Sequence, residues 1–224
     1  RNLTKSVQTG QGSSGDTDII FLTGVNQKHQ GLELETKVKP TDKIELDFIA
    51  SYGNWKFDGD ADGTYQEQEY NDDNQVIGVT TTEYSYALDG LYVGDMPQTS
   101  YILGLTYKPI KGLRLQALYK TYDRNFADWS PASREVEGDA DRAQVWEAPG
   151  YSKLDLHASY KLPIKGYDIS LNAHVFNALD DIFIQDAVDN SKYNGYGDKL
   201  HLPHNAEVFL GTPRYANIGV TVNF

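Results

Sequence analysis

The chain has 224 residues, no cysteine and a formal net charge of −12. That excludes disulfides, thiolate catalysis and Cys-ligated metal centres, and it leaves no basic surface for nucleic acid. No stretch approaches the ~18 consecutive apolar residues of a membrane helix, so the chain is soluble or crosses a membrane as strands. Sixteen tyrosines against one methionine suit strands and aromatic surfaces that meet water, lipid or a ligand.

Wherever the sequence has a period, the period is two. Residues 1–9 read as a first strand. Residues 28–39 read as a second, with Leu32, Leu34 and Val38 on one face. In the third, Ile44, Leu46, Phe48, Ala50 and Tyr52 oppose Lys43, Glu45, Asp47 and Ser51. Residues 98–109 carry Tyr101, Leu103, Leu105 and Tyr107. Next, Leu113, Leu115, Ala117 and Tyr119 oppose Arg114, Gln116 and Lys120. Leu154, Leu156, Ala158, Tyr160 and Leu162 alternate with Lys153, Asp155, His157, Ser159 and Lys161. Ile169, Leu171, Ala173 and Val175 alternate with Asp168, Ser170, Asn172 and His174. In the last strand Ala216, Ile218, Val220, Val222 and Phe224 oppose Tyr215, Asn217, Gly219, Thr221 and Asn223. About eight strands, an even number compatible with a barrel, are expected.

The connections alternate as well. Tight turns marked by Pro or Gly occur at KPTDK, KPIKG and KLPIKG. Between them lie long segments near 10–26, 57–97, 125–150 and 179–212, of about 17, 40, 26 and 34 residues against a usual median of ~4–6. In an up-and-down sheet, all tight turns then share one end and all long loops the other. That is the asymmetry of outer-membrane barrels, with short periplasmic turns and long extracellular loops. A soluble sandwich also produces alternation, but it predicts neither this asymmetry nor a final strand that stops on an aromatic. The ending, with Tyr215, Ile218, Val220, Val222 and Phe224, resembles the C-terminal signal by which outer-membrane barrels are recognised for insertion.

Four stretches add a more specific resemblance. NQKHQGLELETKVKPTDKIELDFIASYGNW has Gly31, Leu32 and Glu33 opening a strand and Ser51, Tyr52 and Trp55 at an aromatic-rich edge. VGDMPQTSYILGLTYKPIKGLRLQALYK has a Pro-led strand entry at Met96, Pro97 and Ser100. LNAHVFNALDDIFIQD carries Asn177 to Leu179, and GTPRYANIGVTVNF brings Gly211, Pro213, Arg214 and Tyr215 into the last strand. In this order they resemble the C-terminal barrel of a Bacteroidetes-like TonB-dependent outer-membrane receptor. The resemblance implies that residues 1–224 are the C-terminal segment of a transmembrane barrel of 22 strands, without its plug domain. It implies localisation in the cell outer membrane and uptake of a scarce nutrient such as a siderophore, glycan or peptide. The implied partners are outer-membrane lipid, the remainder of the receptor chain, TonB through an N-terminal region absent here, and a surface lipoprotein. No cofactor is required.

Two constellations carry candidate chemistry. DGDADGTYQEQE matches a calcium-loop pattern through Asp58, Asp60, Asp62, Thr64 and Glu69, with Gly63 at the sharp turn. Tyr65, Tyr70, Tyr84, Tyr86, Tyr92, Trp129, Trp146, Tyr193 and Tyr196 lie among Asp, Asn and Gln in the long segments, where ring faces and amides suit capture of sugars, peptides or aromatic chelates. His201 and His204 flank Pro203 in a loop rather than in a metal-binding helical register. No nucleophile motif is present, and no carboxylate pair is singled out for acid–base work, so an enzyme is not expected. Two other readings remain open at this point: a small self-closed eight-stranded outer-membrane barrel with a structural or adhesive role, and a secreted β-domain that binds glycans.

Overall fold

The computed structural model describes residues 3–11, 17–73, 75–130, 134, 141–191 and 200–223. Fifteen strands alternate with turns: β1 Leu3–Gln11, β2 Thr17–Val25, β3 Gln27–Thr41, β4 Ile44–Phe57, β5 Ala61–Tyr70, β6 Val76–Tyr86, β7 Thr99–Tyr107, β8 Leu113–Asp123, β9 Asn125–Phe126, β10 Glu147–Ala148, β11 Tyr151–Lys161, β12 Asp168–Phe176, β13 Ile184–Val188, β14 Glu207–Leu210 and β15 Tyr215–Asn223. The main sheet has seven strands in the order β15-β12-β11-β8-β7-β4-β3, all neighbours antiparallel. It is an up-and-down meander without crossovers, and it is open: β3 and β15 do not pair with each other.

The three tight turns all lie at one end of this sheet. At the first, the Thr41 hydroxyl accepts the backbone N–H groups of Lys43 (3.2 Å) and Ile44 (3.1 Å), an ST-turn that closes the hairpin. At the second, Gly112 has φ +86°, and a Cβ there would stand 2.7 Å from the Lys161 carbonyl oxygen. Only glycine satisfies both the positive φ and the close approach to the neighbouring strand.

Register explains the two faces. Val38↔Leu46↔Leu105↔Ala117↔Leu156↔Val175↔Ala216 runs as one row across all seven strands. Leu34↔Ala50↔Tyr101 and Ala158↔Ala173↔Ile218 lie in neighbouring rows of the same face. This apolar face is bare, with Ile218 85% and Leu32 79% exposed. A water-soluble domain would cover a patch of this extent; a face meeting lipid would not need to. Tyr52, Tyr107 and Tyr119 stand on the same face and are exposed, in positions suited to an interfacial ring.

Two expectations are corrected. The main sheet holds seven strands rather than eight, because β1 joins a separate four-stranded sheet, β1-β2-β5-β6. That sheet also replaces much of the long loops expected at 10–26 and 57–97. β2 and β3 are separated by Asn26 alone, and the Asp58 N–H donates to the Asn26 carbonyl at 2.9 Å. The β3–β4 hairpin therefore continues as β2–β5 beyond the main sheet. β5, ADGTYQEQEY, lacks an apolar alternation because it has no lipid face to cover; its hydrogen bonds to β2 and β6 hold it extended. β6, VIGVTTTEYSY, did carry a signal in its β-branched and aromatic content.

The apolar core lies at the end opposite the tight turns. Leu22, Val25, Phe57, Ala61, Tyr86, Leu88, Leu91, Phe126, Trp129 and Val145 pack there, drawn from segments that the sequence leaves as loops. The segments are stitched by backbone: Ala87 donates to the Arg134 carbonyl (2.8 Å), Asp128 to Ala187 (2.7 Å), and Asp189 back to Asp128 (2.7 Å). The long connections form a folded cap.

Candidate ligand-facing surface

The polar face of the main sheet is laced with ion pairs. Near the tight turns, Glu45 receives both Lys108 and Lys39 (3.4 Å), and Lys37 meets Asp47 at 3.1 Å. Higher up, Lys120 donates to Asp155 at 2.7 Å, and the same buried carboxylate accepts the Asn177 N–H at 2.9 Å. That pairing satisfies a charge that burial would otherwise penalise. Next in the row of β11 and β12, the Nδ1 atoms of His157 and His174 lie 2.8 Å apart. Above them Phe176 stacks on Tyr215 at 4.7 Å between centroids.

Toward the cap the surface becomes aromatic and cationic. Tyr151 stacks on Phe183 (4.3 Å) and lies beside Tyr122 (5.0 Å), and Lys153 sits 5.6 Å from both the Tyr122 and Phe183 rings. Across the sheet His29 stacks on Trp55 at 5.3 Å. Gln98, fully buried, acts as a stretch of surrogate strand: its Oε1 accepts the Trp55 N–H (2.9 Å) while its Nε2 donates to the Trp55 (3.0 Å) and Val93 (3.2 Å) carbonyls. This holds the upper end of β4 on the side where its pairing with β7 has ended at Tyr52↔Thr99, while β3 continues along the other side. Rings with cations and amides between them can stack on and hydrogen-bond a polar, flat or ring-shaped ligand.

Inside the cap, two charge clusters tie the segments together. Arg142 grips Asp60 with both NH groups, at 3.1 and 2.7 Å, and Asp60 also accepts the Leu88 and Asp89 N–H groups. These bonds hold its carboxyl below the usual range, the guanidinium contributing most. The second cluster is buried. Arg134 donates to the carbonyls of Asp141 (3.0 Å) and Ala143 (2.6 Å) and faces Asp189, while His201 bonds Asp189 through Nδ1 and Asp141 through Nε2 (2.7 Å). Burial pushes the imidazole down, but the two carboxylates outweigh it and hold His201 above its ordinary value. A ring between two carboxylates offers an N–H to each only when protonated.

Among the described residues, those expected to bind ligand are not brought together as a group. Tyr86 and Trp129 are core, 5.8 Å apart between centroids, with Phe57 edge-on to Trp129 at 6.3 Å. They stabilise the cap, and neither ring is open to a ligand. Tyr92 stacks on Phe126 at 4.1 Å under Lys56. Trp146 is half-buried, and Tyr70 sits at the far end of β5, bonded to Gln68. Tyr193, Tyr196 and Phe224 lie outside the described residues, as do the side chains of Tyr65 and Tyr84. Ile218, Val220 and Val222 share the apolar face of β15, and Tyr215 stands on the opposite one.

The calcium loop does not assemble. From Ala61 onward the chain is extended in β5, so Glu69 lies roughly 30 Å along the strand from Asp60 at about 3.4 Å per residue. Asp60 is held by Arg142, Asp62 accepts the Ser85 hydroxyl (2.8 Å), and Glu69 accepts that of Thr80 (2.9 Å); Asp58 lies in the turn between β4 and β5, and Thr64 in the body of β5. Among the described residues no group of three or more His, Asp or Glu is arranged to hold a metal ion.

Sequence reasoning missed the Tyr122–Tyr151–Phe183 stack, the His157–His174 contact and the His201 cluster. The histidine contact was within reach: folding the two alternating strands about the KLPIKG turn puts 157 opposite 174. The other two join segments distant in sequence, and no local pattern marks them.

Compared with known protein families, residues 1–178 match the model described as TonB dependent receptor-like, beta-barrel. A search of curated proteins gives no match.

Proposed function

The chain belongs to the TonB-dependent receptor β-barrel family, whose members are outer-membrane transporters rather than enzymes, and we propose that it forms the C-terminal wall of one such receptor, taking up a scarce nutrient captured at the cap and the aromatic upper rim. One observation carries this reading: a seven-stranded meander with a bare apolar face, an ion-paired polar face, tight turns at one end and a folded cap at the other. Lipid would meet the first face and a hydrated lumen the second. A ligand such as a siderophore, glycan or peptide would pass from the rim along the polar face, with TonB supplying the energy through the rest of the receptor.

Strand parity disfavours a self-closed small barrel. In a meander of seven, the first and last strands, β3 and β15, run in the same direction, so joining them would need a parallel seam in an otherwise antiparallel wall. Unpaired edges are untenable in lipid, and further antiparallel strands from the same receptor would satisfy both.

The test is growth of a strain lacking the whole receptor on a panel of siderophores, glycans and peptides offered singly, alongside a strain lacking TonB. Loss of growth on the same compound in both supports the reading. Recovery of the protein in a soluble fraction, or unimpaired growth on the entire panel, would sink it.

A further inference from the structure

We propose that His157 and His174 form a two-imidazole site for a divalent transition-metal ion, Cu(II) or Ni(II) ahead of Zn(II), on the polar face of the sheet. The two residues are direct cross-strand partners on β11 and β12, so backbone register rather than side-chain reach sets their approach. Their Nδ1 atoms are 2.8 Å apart. Two ligands bound at about 2.0 Å and a right angle stand about 2.8 Å apart, whereas tetrahedral ligands at the same bond length stand about 3.3 Å apart. The hydrogen-bonded pair therefore already stands close to the separation that two ligands of one ion need, and the donors around it, rather than this spacing, set the class of ion.

The protonation state suits metal entry. A hydrogen bond between two Nδ1 atoms requires one of them to be bare, so one lone pair already faces the site. The ring that donates can move its proton to its own Nε2, freeing the second lone pair with no net proton release when both imidazoles are neutral. Phe176 packs edge-on to His157 (5.4 Å) and stacks against His174 (6.1 Å), which restricts both rings.

The row also selects the class of ion. Gln116 lies opposite His157 and Asn217 opposite His174, so amides flank the pair on both sides; the Gln116 Oε1 accepts from Arg114 at 3.2 Å, which leaves Asn217 and water as the available further donors. The nearest carboxylate along the strand, Asp155, is engaged by Lys120 and the Asn177 N–H. An imidazole site without a free carboxylate disfavours Ca(II) and Mg(II) and favours borderline ions, copper most strongly.

The test is copper titration of the full receptor in detergent, read by electron paramagnetic resonance. The expected result is a Cu(II) signal with hyperfine structure from two nitrogens, lost in the His157→Gln/His174→Gln double variant and weakened at least ~tenfold in either single one. Because the variants could disturb the sheet, the wild-type protein supplies a second measurement: Cu(II) should protect both His157 and His174 from diethyl pyrocarbonate, mapped by mass spectrometry. Copper binding unchanged in the double variant, or modification of both rings unaffected by copper, overturns the proposal. Neither readout involves uptake, so its failure would leave the transport reading intact.

Discussion

Lys120 and Asp155 meet at 2.7 Å between β8 and β11, with the carboxylate 4% and the ammonium group's side chain 22% exposed. Removing one partner leaves a buried charge that only the Asn177 N–H still satisfies. Lys120→Met should therefore cost about 3 kcal/mol, while the double variant Lys120→Met/Asp155→Asn should recover much of that loss. The midpoint of heat-modifiable gel mobility reads both. Equal midpoints for the single variant and the wild type would show that the pair is solvated.

Trp129 is core to the cap but remote from the lipid face. Truncation to alanine should cost about 3–5 kcal/mol locally, raising protease sensitivity in the segments that build the cap. Heat-modifiability of the barrel should persist, because the ladder of the main sheet does not run through that residue. A variant that fails to enter the membrane at all would mean that cap and sheet fold as one unit.

The His201 cluster should make the cap weaken in alkali. The folded ring titrates above its unfolded value near 6.5. Its stabilisation is thus fully present below about pH 6.5 and is lost as pH rises through the raised folded value. Arg134, Asp141 and Asp189 face the ring. Protease sensitivity of whole cells should rise between neutral and mildly alkaline pH, and His201→Gln should flatten that dependence. A wild-type profile with no slope would remove the imidazolium from the cluster.

Leu103 lies in β7, mid-sheet on the apolar face, and is 55% exposed. Arginine there should cost about 2–4 kcal/mol if the position sits near the bilayer midplane and should lower the yield of assembled protein. Arginine at Gln116, on the opposite face of neighbouring β8, should be tolerated. Equal yields of the two variants would contradict the assignment of faces.

By itself the sequence determined the face pattern and the asymmetry of the ends. Alternation such as Ile218, Val220 and Val222 against Asn217, Gly219 and Thr221 is local, because successive side chains in a strand must point opposite ways. The tight turns are equally local, written in Thr41, Gly112 and Gly166. What only the tertiary structure decided is everything that depends on pairing between distant segments. DGDADGTYQEQE has the spacing of a cation loop, yet hydrogen bonds from β2 and β6 pull it straight. Tyr86 and Trp129 resemble ligand-facing rings in composition, yet they are buried because segments some forty residues apart fold over them. Arg134, Asp141, Asp189 and His201 meet only because two long connections are stitched backbone to backbone. Such contacts leave no period in the chain, since the free energy that forms them comes from burial and pairing across the fold rather than from neighbours in sequence.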